Sequence, residues 1–102
     1  MKIIQLLEEK IESEIHDAHE YTKLAVMYKE SYPETADLFY RLSVEEMAHM
    51  NALHKDVVRH IEMYRQKNGE APAAMKAVYD YLHKRHIEAA EEVKILQEMY
   101  KQ

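Results

Sequence analysis

The sequence predicts an all-α protein folded as a single domain of three helices, residues 1–102, and three observations carry that prediction. Hydrophobic residues make up 47% of the chain, and Glu, Lys, Leu, Met and Ala are abundant, which is the composition of good helix formers. Apolar residues recur in alternating steps of three and four over long stretches. Helix breakers are confined to two places, with one Gly and two Pro in all 102 residues. A chain of this length supports one real core and not two.

The first helix is expected over residues 2–30, where Ile4, Leu7, Ile11, Ala18, Tyr21, Ala25 and Tyr28 form one seam. Glu14 falls at a core or core-edge position of that seam. Glu8, Glu9, Glu12 and Glu20 point elsewhere on the wheel and read as solvated surface. Ser31-Tyr32-Pro33-Glu34 is a turn and restart: Ser31 is expected to cap, Glu34 to complete a capping box, and Pro is tolerated in a first turn. So short a connection makes the first two helices an antiparallel hairpin.

The second helix is expected over residues 32–67, about 50 Å at 1.5 Å per residue. Its apolar face carries Thr35, Leu38, Phe39, Leu42, Leu53, Val57 and Tyr64, and Glu46 and His49 share that face one turn from each other. On its back, Tyr40, Val44, Met47 and Val58 form a second apolar stripe that suggests a subunit contact. Asn68-Gly69-Glu70-Ala71-Pro72 stops this helix at Gly69 and restarts the chain near Pro72. The third helix is expected over residues 72–100, with its seam at Ala74, Val78, Tyr81, Arg85, Glu88, Glu92, Ile95 and Met99.

Glu46-Met47-Ala48-His49 is the one E-x-x-H of the chain, and by itself it means little. With fifteen Glu and seven His present, about one such match is expected by accident. Burial and company give it weight. Counting outward from the first turn places Glu14 level with Glu46 and His49, and counting from Gly69 brings Glu92 near the same height. The third helix is thus expected to offer Glu92, or its neighbours Glu88 and Glu91, as a ligand or as a hydrogen-bond partner of one. Inward carboxylates at one level destabilise a bundle unless something cationic sits between them. Each residue also has a structural reading: Glu14 as an edge residue, Glu88 and Glu92 paired with Arg85, His49 as a hydrogen-bonded core histidine. His16, His19, His54, His83 and His86 lie off the seams and read as surface residues or weak adventitious metal sites, and His60 as a core hydrogen-bond partner of Asp56.

Several classes are disfavoured. The net charge of −5 and the scattered Lys and Arg leave no footprint for nucleic acid. The absence of cysteine excludes disulfides, thiolate zinc sites, iron–sulfur ligation and a rubredoxin-like iron centre. Ile3-Ile4-Gln5-Leu6-Leu7 is too short for a signal peptide and no apolar run could span a membrane, so a cytoplasmic protein is expected.

Glu14, the Tyr21-Thr22 pair with Ala25 that follows it, and Glu46-Met47-Ala48-His49 together resemble the ferritin-like superfamily, most closely its rubrerythrin type, over roughly residues 11 to 55. The resemblance implies that Glu14, Glu46 and His49 are ligands of a di-iron centre and that Tyr21 hydrogen-bonds a ligand, so that these four form the catalytic set. A full ferritin-like bundle has four helices, a second Glu and a second E-x-x-H, none of which this chain supplies. Two copies supply them all, as in the encapsulated ferritins, half-size chains whose site is completed at a dimer interface. A homodimer or higher homo-oligomer is the expected partner state. The same resemblance implies an encapsulating shell as a further partner, although no encapsulation tail is recognisable at Met99-Tyr100-Lys101-Gln102. The expected activity is oxidation of Fe(II) by dioxygen or peroxide, a ferroxidase or iron-handling role, with manganese or zinc as the other metals such donors suit. The alternatives are a rubrerythrin-like peroxidase fed by an external electron donor, and a helical oligomerisation or adaptor module with buried ion pairs and no redox chemistry.

Overall fold

The computed structural model describes all residues 1–102 and contains three helices, α1 (Lys2–Tyr28), α2 (Pro33–Asn68) and α3 (Ala73–Lys101), with no strand. The central element is α1. Its buried face, Ile4, Ile11, Ile15, Ala18, Thr22 and Ala25, repeats at helical spacing, and both other helices pack on it while the α2 and α3 backbones stay apart and meet through side chains. The core joins Ile4, Ile11, Ile15 and Ala18 of α1 to Val57 of α2 and Val93 of α3. Thr22 is fully buried because its hydroxyl donates to the Ala18 carbonyl at 2.9 Å, which leaves no polar atom orphaned.

The connection after α1 is short, and the hairpin climbs in antiparallel register through Tyr28–Tyr32, Tyr21–Phe39 and Glu14–His49. On its return α3 runs antiparallel to α2, stacking Tyr100 on Tyr40 and His83 on His54. It therefore lies parallel to α1, with Glu8 against His86 and His19 against Glu92. The body is a rod of 55 × 18 × 17 Å. No helix is long and apolar enough to cross a membrane.

Helix boundaries fall where the breakers stand, but their chemistry differs from expectation in one place. Tyr32 is the N-cap of α2 and no side chain caps it, so the Ser31/Glu34 capping box does not form; Pro33, with its pre-set φ, starts the helix instead. Gly69 ends α2 at φ +80°, its N–H bonded to the Arg65 carbonyl at 2.8 Å.

The third helix is rotated relative to the seam expected for it. Val78, Tyr81, Ile95 and Met99 are exposed, Tyr81 by 64%, whereas Tyr79, His86, Ala89 and Val93 face α1. Two apolar stripes compete on this helix. The outward one holds Arg85, Glu88 and Glu92 at its centre, and burying three charges is far more costly than burying His86. The stripe on the back of α2 is likewise partly covered from within: Tyr40 stacks on Tyr100 with ring centroids 4.8 Å apart and Met47 packs on the core, which leaves Val44 and Val58 exposed. Only 11 of 102 residues are buried, fewer than the large apolar side chains left exposed. A bundle this thin leaves apolar surface for further packing.

Candidate metal centre

Glu14 follows Ile11 by three residues and precedes Ala18 by four, so α1 carries it on the edge of its buried face. On α2, Ser43 is buried and Met47 and Met50 pack on the core, which sets Glu46 and His49 on the neighbouring edge. Both edges lie on the side of the α1–α2 hairpin away from α3, because Glu12 and His19, on the opposite flank of α1, are the residues that meet Arg85 and Glu92.

The three side chains converge there. His49 Nδ1 stands 3.4 Å from Glu14 Oε2 and 3.9 Å from Glu46 Oε2, and one ligand atom from each residue lies within 4.8 Å of the others. The carboxylates are shielded, at 25% and 19% exposure, while the His49 side chain is 60% exposed. Glu14 Oε2 is buried and accepts no hydrogen bond, with His49 Nδ1 beside it at 3.4 Å; a buried oxygen without a donor is destabilising. A divalent ion with ligand bonds near 2.1 Å holds its donors roughly 3–4 Å apart. The spacing of Glu14, Glu46 and His49 fits such an ion with small side-chain adjustments. Two carboxylates and an imidazole form an N/O donor set of the kind that binds iron, manganese or zinc.

The other expected site residues lie elsewhere. Tyr21 is two turns further along α1, with its ring stacked on Phe39 at 6.1 Å. Glu92 is exposed and 3.9 Å from His19, on the far flank of α1, so α3 adds no ligand to the group. Glu88 and Glu91 are exposed on α3. Arg85 pairs with Glu12 at 2.8 Å rather than with Glu88 or Glu92. His60 does face Asp56, at 3.4 Å.

A second cluster overturns the surface reading of Glu8, His54 and His86, while His83 beside them is exposed. Glu8 Oε2 lies 3.2 Å from His86 Nδ1 with both side chains nearly buried, and His54 stacks on His83 beside them. Burial pushes the Glu8 carboxyl above its usual range, partly offset by His83. Burial also pushes His86 down, and His54 is lowered by burial and then by the charge of His83. The available signal was the His83/His86 spacing of three, one turn on one face of α3.

Comparison with protein-family models, with curated proteins and with solved structures found no match for this chain.

Proposed function

We propose that the chain is a ferritin-like, non-haem di-iron protein that oxidises Fe(II) with dioxygen or peroxide, its centre assembled from Glu14, Glu46 and His49 of two copies of the chain. The observation that carries the reading is the convergence of two shielded carboxylates and one imidazole from two helices, with a buried carboxylate oxygen left without a donor. Iron held there supplies the electrons that reduce the oxidant.

The chain's own residues bind and position the metal. Glu14 and Glu46 bring acceptor-only oxygens and the negative charge that offsets a divalent ion. His49 contributes one neutral nitrogen, and its place one turn after Glu46 on a continuous helix fixes their separation. Three donors do not fill the coordination of two metals. A two-fold axis across this face doubles the set to four carboxylates and two imidazoles, the complement of a carboxylate-bridged pair.

The surface around the site supports that arrangement. Ile3 precedes Glu14 by eleven residues, and Leu38 precedes His49 by eleven, about three helical turns that return each to the face of its partner. Tyr28 follows Tyr21 by seven on the same side. All three are exposed in the single chain, and a copy packed across the site would bury them.

The test is the rate of Fe(II) oxidation by the full chain and by its E46L/H49M variant. Loss of oxidation in a variant that keeps its helical content and association state supports the centre, and retained oxidation contradicts it. A second reading, a scaffold without redox chemistry, is favoured by one observation: a protonated His49 between Glu14 and Glu46 would form an ion triad. That reading predicts destabilisation by the same substitutions.

A further inference from the structure

On the opposite flank of α1 from Glu14, all three helices bring metal-ligand side chains to one level: Glu8 from α1, His54 from α2, and His83 and His86 from α3. Glu8 Oε2 is 3.2 Å from His86 Nδ1, and the His54 and His83 rings stack with centroids 4.9 Å apart. The three histidines line a cavity of about 380 Å³ between α2 and α3, above Ile11. Glu8, His54 and His83 also line an adjoining cavity of about 320 Å³.

Two atoms in this cluster lack partners. His86 is 8% exposed, and its Nε2 is buried without a hydrogen bond; Glu8 Oε2 is buried and accepts none. Orphaned polar atoms in a core are destabilising unless something else satisfies them. The fold also lacks something here. His86 and Val93 are the only buried residues of α3, and α3 packs mainly on α1, so its hold on α2 rests on side-chain contacts such as the His54–His83 and Tyr40–Tyr100 stacks.

We propose that Glu8, His54, His83 and His86 form a binding site for a zinc-class divalent cation that clamps α3 to the α1–α2 hairpin. Three imidazoles and one carboxylate make a closed four-ligand set, the pattern of a structural ion, and borderline-soft nitrogen donors favour zinc over magnesium or calcium. Only the Glu14, Glu46 and His49 donors already converge on one point; here Glu8 and His86 are in contact, and the stacked His54 and His83 side chains turn toward them when the ion enters. No residue is shared with the Glu14, Glu46 and His49 group, so the site stands or falls independently of the proposed oxidation chemistry.

The test uses the full chain with Glu14→Gln, Glu46→Gln and His49→Ala, which removes the other donors, titrated with Co²⁺ and with Zn²⁺. The expected result is one Co²⁺ per chain with the intense visible absorption of a four-coordinate ion, and a melting temperature raised by Zn²⁺. His83→Ala and His54→Ala, made in that background, are expected to weaken binding by about tenfold or more and to abolish the thermal shift. Because His83 is exposed, its loss leaves the fold intact. Absence of the four-coordinate spectrum, or equal affinity in the parent and the His83→Ala chain, would overturn the proposal.

Discussion

Glu14 and His49, on neighbouring antiparallel helices, meet at 3.4 Å with the carboxylate oxygen buried and unbonded. If a metal ion satisfies that oxygen, as proposed, the consequences can be measured.

The metal-free E14L/E46L/H49M chain is expected to be as stable as the parent, or more stable by up to about 2 kcal/mol, since apolar replacement of the whole group removes its desolvation penalty without leaving an unpaired carboxylate. Urea denaturation of both chains in the presence of a chelator checks this. A loss of stability of comparable size would show that the cluster is a stabilising ion triad.

Association should depend on the face that carries Ile3, Tyr28 and Leu38, all exposed in the single chain. Leu38→Asp places a charge there and, if the chain pairs as proposed, is expected to yield monomer where the parent sediments as a dimer, with loss of Fe(II) oxidation in the same sample. A substitution on the outward stripe of α3, Tyr81→Asp, is expected to leave both unchanged.

The rotation of α3 makes a sharp contrast between two of its residues. Val93 is fully buried and Tyr81 is 64% exposed. Val93→Ala should cost about 2 kcal/mol from lost burial and the cavity left behind, and Tyr81→Ala should stay within about 0.5 kcal/mol of the parent. Thermal unfolding of dilute protein reads both, and a reversed order would show that the outward stripe is the buried one.

At Gly69, φ is +80° and ψ is −164°, and a Cβ built there meets nothing within 4 Å. Gly69→Ala is therefore expected to destabilise by about 1–3 kcal/mol through backbone strain alone, with no clash to relieve by repacking. An unchanged unfolding midpoint would show that the turn relaxes freely.

Much of the architecture was legible because the breakers are so few. Pro33, Gly69 and Pro72 place both turns, and a short turn fixes the hairpin register, which is why Glu14, Glu46 and His49 could be brought level by counting. The facing of α3 was not legible. A helix with two apolar stripes does not by itself declare which one meets α1: taking Val78, Tyr81, Ile95 and Met99 as the inward stripe brings Glu92 to the cluster, whereas in the structure that stripe faces outward and Glu92 stands against His19. The same error hid His86, whose burial depends on Glu8 across a helix pair that no single-helix pattern reveals. Tyr21 shares the flank of Glu14 but stacks on Phe39 of the neighbouring helix.

The most direct test of the central claim is iron bound per chain, measured by elemental analysis after anaerobic Fe(II) loading and desalting of the parent and E46L/H49M chains. A centre shared by two copies predicts one more iron per chain in the parent than in the variant. No iron in the parent, or the same amount in both, would contradict a di-iron centre at Glu14, Glu46 and His49.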